Sequence, residues 1–140
     1  MDDILEKISN VLRQDDLVEF AVLFGSFAEG KETPFSDVDI GVYVSRPMTL
    51  LHLGWLTTEL EKVLKKIVDV VELNTALEKN PLFAYKVIAA GELIFSKNPE
   101  AFVDFKTRAI LQYLDTDFLR TMVTQAFQDR LEAGKFAEGC

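Results

Sequence analysis

Cysteine is almost absent from this 140-residue chain: its one thiol, Cys140, stands at the last position. That excludes an internal disulfide and a cysteine-based zinc site, and the ordinary reading of such a residue is a terminal thiol without a role. Histidine is as scarce. His52 has no second imidazole or thiol near it in the chain, so it reads as a surface or partly buried helix residue rather than a metal ligand or catalytic base. Basic residues are outnumbered 23 to 15 by acidic ones, a formal net charge of −8, which argues against direct binding of a nucleic-acid backbone. The acidity suits a metal site or a basic protein partner, although a solubilising surface is the commoner explanation. No run approaches the ~18 apolar residues of a membrane span. Met1-Asp2-Asp3 lacks the basic flank of a signal peptide, so a cytoplasmic protein without membrane contact is expected. Internal repeats and low-complexity tracts are lacking as well.

What is present is a globular composition, 49% hydrophobic and 27% charged, in a length that suits one domain with a substantial core. Val18-Glu19-Phe20-Ala21-Val22-Leu23-Phe24 reads as a buried strand, and Gly25-Ser26-Phe27-Ala28-Glu29-Gly30 follows it directly. A glycine where a strand gives way to a turn and a helix lets the backbone approach an anion, and a helix N-terminus offers free N–H groups. Ser26 adds a hydroxyl. Further on, Ser36-Asp37-Val38-Asp39-Ile40-Gly41-Val42 alternates as a half-buried strand does, so Asp37 and Asp39 project from one face. Two carboxylates side by side repel, and the cation that offsets this at a phosphate site with hard oxygen ligands is Mg²⁺. Paired carboxylates, Mg²⁺ and a phosphate cradle point to phosphoryl or nucleotidyl transfer.

Gly25-Ser26, ten residues and then Asp37-Val38-Asp39 resembles the Gly-Ser-x10-Asp-x-Asp signature of the polymerase-beta-like nucleotidyltransferase superfamily, in particular its minimal members of the MntA type, antitoxins paired with HEPN-domain toxins. The resemblance implies an α/β (α+β) fold: a small mixed sheet with flanking helices, like the polymerase-beta palm, plus a C-terminal helical extension. It assigns Gly25 and Ser26 to the β- and γ-phosphates of ATP. Asp37, Asp39 and a third acid go to two Mg²⁺ ions, which clamp the attacking and leaving oxygens as AMP is transferred and pyrophosphate leaves.

The rest of the chain fills this frame. Asp2 or Asp3 caps a first helix carrying Ile4, Leu5, Ile8, Val11 and Leu12 on one stripe. A loop from Lys31 through Pro34 and Phe35 returns the chain to the second strand. Gly41 shares the acids' face and leaves room for a ligand, or is simply a strand glycine. Thr49 caps a helix from Leu50 to Lys66 with Leu53, Leu56, Leu60, Val63, Leu64 and Ile67 at helical spacing, Trp55 in the core and Glu61 paired to Lys65. Residues 67–73 are a third strand, in which Asp69 and Glu72 fall on opposite faces, so at most one joins the site. The residues leave both open; Val68-Asp69-Val70 resembles the family's hydrophobic-Asp-hydrophobic pattern and favours Asp69. Asn80-Pro81 opens a helix, Leu82 to Ala90, closed by Gly91 as a C′ residue, and Leu93 to Phe95 is the last strand. Ser96-Lys97-Asn98-Pro99 bounds a nucleotidyltransferase domain, 1–97, from an extension, 98–140. There Phe102, Phe105, Ala109, Tyr113, Phe118, Met122 and Ala126 form helical stripes, either as two helices parted at Asp115-Thr116-Asp117 or as one.

Glu29 departs from the family pattern, which often has a basic residue at that place. Lys31 is the nearby substitute, so the expected nucleotide-contacting set is Gly25, Ser26, Lys31 and Ser36, with Asp37, Asp39 and Asp69 as catalytic metal ligands. Three functions follow. The first is adenylylation of a hydroxyl, a tyrosine's by preference, on a HEPN-type RNase toxin. The second is a small-molecule transferase of the aminoglycoside-modifying kind, for which the extension is short. The third, kept open by Glu29, is an antitoxin that acts by binding alone. The sequence leaves homo-oligomerisation open.

Overall fold

The computed structural model describes residues 2–33 and 36–139, with side chains described for 3–33, 36–114, 121 and 124–130. Pro34, Phe35 and Cys140, the capping role of Asp2, and the side chains of Phe118 and Met122 lie outside the described residues. The elements run α1 (Asp2–Leu12), β1 (Val18–Phe24), β2 (Val38–Val44), α2 (Leu50–Leu64), β3 (Val68–Glu72), α3 (Leu73–Lys79), α4 (Pro81–Ala90), β4 (Glu92–Ser96) and α5 (Pro99–Gly139).

The strands form one sheet in the order β3-β2-β1-β4. β1 pairs antiparallel with β2 and β4, while β2 and β3 are parallel, so the sheet is mixed, as the sequence implies. A parallel pair needs a crossover, and α2 supplies it. β1 is central and apolar on both faces. Ala21 and Leu23 join Ile8, Leu12, Ile40, Leu56 and Leu60 in one buried cluster, while Phe20 and Val22 join Leu73, Ala84, Val87, Phe105 and Ala109 in another. Helices α1 and α2 thus cover one face, and α3, α4 and the first part of α5 the other. Phe20 holds the second cluster together, stacked on Tyr43 at 4.9 Å and edge-on to Phe102 and Phe105 at 5.2 and 5.6 Å.

Thr49 caps α2 as expected, its hydroxyl accepting from the His52 N–H at 3.1 Å. The helix ends two residues early because Lys65 turns left-handed at φ 55°. Glu61 does not serve a helical pair with Lys65; its carboxylate accepts from the Val68 N–H at 3.2 Å and ties α2 to β3. Trp55 is not in the core. It is 56% exposed, and Val63 and Ile67 of the expected stripe are exposed too, because the sheet face covered by α2 is filled by Leu56 and Leu60. Helix α3, which follows β3 without a loop, is not foreseen by the sequence pattern. Its Asn74 donates to the Val44 carbonyl at 2.9 Å and accepts from the Val44 N–H at 3.0 Å, closing the end of β2. Gly91 closes α4 as expected, in an extended conformation with φ −82° and ψ 166°. Glycine is needed there for clearance: a Cβ would collide with the Val87 carbonyl oxygen and lie 2.6 Å from Val22 Cγ1. Residues 99–139 form one helix without a break at 115–117.

Candidate active site

At the end of β1 the chain enters a turn spanning residues 25–30. Gly25 adopts φ 74° and Gly30 φ 70°, conformations that cost little only for glycine. The Glu29 N–H donates to the Gly25 carbonyl at 3.1 Å and the Lys31 N–H to that of Ser26 at 2.8 Å. This closes a hydrogen-bonded turn where the sequence suggested that a turn leads into a helix; residues 31–33 and 36–37, which follow it, are irregular. The first N–H groups of such a turn have no partner within it and remain donors for an anion. The turn is anchored by Phe27, buried in the cluster under α1 and α2, and by Ala28 packed against it. Ser26 is half-buried beside them, and Glu29 and Lys31 are exposed.

Asp39 on β2 lies in register with Phe24 on one side and with Asp69 on the other. Val68 and Val70 point into the cluster under α2, so Asp69 shares the opposite sheet face with Asp39. Asp37 precedes β2 at its entrance, exposed like Asp69, with Ser36 half-buried before it. The turn and Asp39 touch: a Cβ on Gly25 would collide with Asp39 Oδ2 and stand 3.1 Å from its Cγ, so only glycine leaves space for that carboxylate. Burial, then the charges of Asp69 and Asp37, push the Asp39 carboxyl above its usual value of 3.8. The structure thus brings together Gly25, Ser26, Asp37, Asp39 and Asp69.

Glu72 stands elsewhere. It pairs in register with Val42, directly precedes α3 without a side-chain cap bond, lies 3.5 Å from the Thr75 hydroxyl and lines a recess with Arg46, Asn74 and Glu78 at the far end of β2. Gly41 gives no ligand space, since a Cβ there would meet Leu73 Cδ2 at 2.7 Å. His52 bonds through Nε2 to Asp15 Oδ2 at 2.5 Å. Asp15, only 7% exposed, also accepts the Leu17 N–H at 2.9 Å, and its carbonyl accepts Lys97 Nζ at 2.6 Å. This pair fastens α2 to the start of β1, away from the turn.

The oxygen-only donor set suits Mg²⁺. Among the described residues no three carboxylate, imidazole or thiolate groups are drawn into a cage able to hold a metal by themselves. Sequence reasoning missed two groups near the turn. Lys66 Nζ lies over the Phe27 ring, 5.5 Å from its centroid, and α4 brings Phe83 and Lys86 to a cavity shared with Gly25 and Glu29. Neither has a local motif.

Residues 6–100 match the family described as Polymerase beta, Nucleotidyltransferase. Two proteins of Methanocaldococcus jannaschii, both provisionally named protein adenylyltransferases, are similar to the chain. One is 39% identical over 75 residues, covering 54% of this chain and 80% of the relative. The other is 33% identical over 73 residues, covering 52% and 74%. A solved chain from a toxin-antitoxin structure with AMP-PNP superposes with a TM-score of 0.74 at 22% identity, over 89% of this chain and 98% of that one. A chain from the tri-AMPylated Shewanella oneidensis HEPN toxin in complex with MNT antitoxin gives 0.70 at 21% identity, over 91% and 99%. At these identities the superpositions bear on the fold.

Proposed function

The chain belongs to the polymerase beta nucleotidyltransferase family, and on that premise we propose that it moves AMP from ATP to a hydroxyl of a HEPN-type RNase toxin, a tyrosine by preference, and so acts as its antitoxin. The observation that carries the reading is the contact between the two halves of the motif. The Gly25 backbone lies against the Asp39 carboxylate, with Asp69 in register beside it. Phosphates on the turn would therefore sit next to the acids.

In this reading Gly25 and Ser26 receive the β- and γ-phosphates through backbone N–H groups and the serine hydroxyl. Lys31 and Ser36 are the further nucleotide contacts proposed from the sequence. Asp37, Asp39 and Asp69 are the residues that would hold Mg²⁺, which when bound neutralises phosphate charge and lowers the pKa of the acceptor hydroxyl. Asp69, exposed on the outer side of Asp39, faces the direction from which an acceptor enters. Chemistry that needs ATP and a toxin made in the same cell belongs in the cytoplasm.

A protein acceptor is supported by the relatives in M. jannaschii, which carry the name protein adenylyltransferase. We read 98–140 as an extension to the catalytic unit of 1–97, in keeping with the family match over 6–100.

The test is incubation with a HEPN partner, ATP and Mg²⁺, followed by intact mass. The partner gains one or more AMP units, and Asp39→Asn abolishes the gain. Full labelling by Asp39→Asn would sink the catalytic assignment. The exposed Glu29 beside Gly25 favours a second reading, inhibition by binding alone, and toxin neutralisation that survives Asp39→Asn would support it. Asp69→Asn should lower transfer by about a hundredfold or more, whereas Glu72→Gln should change it by less than about threefold; the reverse order overturns the choice of Asp69.

A further inference from the structure

Helix α2 has a covered side and an open one. Leu56 and Leu60 are buried on the sheet, while Leu51, Gly54, Trp55 and Thr58 recur at helical spacing on the opposite side and are exposed. Leu50 and Leu51 are 85% and 86% exposed. Two hollows flank this ridge and share His52 and Trp55, one of about 1010 Å³ at the start of α2 and one of about 670 Å³ between α1 and α2. We propose that this face pairs with the same face of a second copy of the chain, the Trp55 ring of each copy seated in the hollow between α1 and α2 of the other.

Area and shape argue for it first. The exposed parts of Leu50, Leu51 and Trp55 make an apolar patch of roughly 450 Å², within the range of the largest patch on a monomer, which is often functional. Two such patches supply the apolar centre of an interface near the lower end of the specific range, about 1,200 Å² in total, with the walls of the hollows as its rim. Ridge and hollow lie side by side on one surface, which is what a two-fold contact requires: each copy gives its ridge and receives its partner's. A Cβ added at Gly54 would meet nothing within 4 Å, so packing inside the chain does not call for glycine in the middle of this helix, which it weakens. Under a crossing helix its missing side chain lets two backbones approach.

Charge then selects the occupant. The hollow between α1 and α2 carries both signs, Lys7 and Arg46 with Asp16 and Glu59, so a partner of one dominant sign leaves half of them unmatched. A second copy brings the same mixture, and the two-fold contact lets Arg46 of each copy face Glu59 of the other. Arg46 is exposed, and Glu59 pairs with Lys62 at 3.3 Å on the surface, a contact weak enough to be exchanged. Helix α2 begins past Val44, at the end of β2 opposite Asp37, so the pairing leaves the carboxylate site open.

The experiment is sedimentation equilibrium of the full chain over a concentration series, for the wild type, Leu51→Glu, Trp55→Ala, Arg46→Glu, Glu59→Arg and the double charge exchange, with melting curves to show that each variant folds. The wild type should dimerise reversibly with a Kd of about 10–100 µM, as a small interface does. Leu51→Glu and Trp55→Ala should each weaken the dimer at least about tenfold by spoiling its apolar centre. Each single charge change should weaken it by roughly threefold or more, and the double exchange should return it to within about twofold of the wild type, since the pairs are remade with the signs reversed. A wild type that stays monomeric up to about 500 µM, five times the weakest Kd expected of such an interface, overturns the proposal. So does a dimer indifferent to Leu51→Glu and Trp55→Ala, or a double exchange no tighter than the single changes. A monomeric wild type whose binding to a HEPN partner is weakened by Leu51→Glu gives the face to that partner and likewise overturns the pairing of copies.

Discussion

Asp39 is half-buried beside two other carboxylates. Its carboxyl is raised above 3.8 by burial first, then by Asp69, then by Asp37, so the folded state binds this proton more tightly than the unfolded one. Stability contributed by the group is therefore present below the ordinary carboxylate value, is lost as pH rises through the raised folded value, and stays lost at neutrality. Asp39→Asn keeps the shape and removes the charge. The variant should melt higher than the wild type at pH 7 without metal, and the gap should close as pH falls below the ordinary carboxylate range. Added Mg²⁺ should raise the melting temperature of the wild type and not that of the variant. Thermal denaturation at the two pH values, with and without Mg²⁺, checks all three; a wild type more stable than Asp39→Asn at pH 7 without metal contradicts the repulsion. At this scale the shared face of Asp37 and Asp39 was legible from strand alternation, while the meeting of Gly25 with Asp39 is made by the pairing of β1 with β2. Period two put Asp69 and Glu72 on opposite faces without choosing between them; the register that sets Asp69 beside Asp39 comes from the fold. Phe83 and Lys86 were not legible, since their nearness to Gly25 is made by the fold and by no spacing along the chain.

Elements whose ends carry a chemical signal are legible in the sequence. Thr49 and Asn80-Pro81 mark α2 and α4, and Asn80 accepts the Phe83 N–H at 3.2 Å as a cap should. Helix α3 has no such signal: Glu72 precedes it without a side-chain cap, and Asn74 and Thr75 are modest helix formers. Its Leu73, Ala76 and Leu77 stand at helical spacing and all are buried, so the element is held by packing. Two glycines show why identity alone misleads. A methyl group added at Gly54, in the middle of α2, would have nothing within 4 Å, whereas one added at Gly91 would collide with the Val87 carbonyl oxygen. Gly54→Ala should stabilise the protein by about 0.5–1 kcal/mol through helix propensity. Gly91→Ala should destabilise it by roughly 2 kcal/mol or more, since the α4–β4 junction must move. Urea denaturation of the two variants decides the matter, and equal midpoints would refute the distinction.

At the scale of the whole molecule, α5 divides the structure into a packed part and an outlying one. Phe105 and Ala109 are buried against the sheet, with Phe102 packed beside them, and Tyr113 stacks on Tyr85 of α4 with centroids 3.9 Å apart. Beyond that pair every described side chain of the helix is exposed, including Phe127 at 61%. A helix of 41 residues spans about 60 Å, far more than the sheet can cover. The sequence pattern could not show this, because aromatic residues recur along the helix at similar spacing whether the sheet lies beneath them or not. No helix of the described residues is long and apolar enough to cross a membrane, so the exposed half is not a span of that kind. Were this outlying half to dock the protein acceptor proposed above, a separable prediction would follow. Ending the chain after Leu114 should keep the melting temperature within about 5 °C, since ~1 kcal/mol shifts a domain of this size by only a few degrees. It should leave ATP binding unchanged and weaken capture of the HEPN partner by at least about tenfold, one lost anchor of ~1.4 kcal/mol being enough. Calorimetric titration of the shortened and full chains with ATP and with the partner measures both affinities. Unchanged partner binding would move the docking surface back onto the catalytic unit, where the acceptor would have to be held by residues around Asp69 alone.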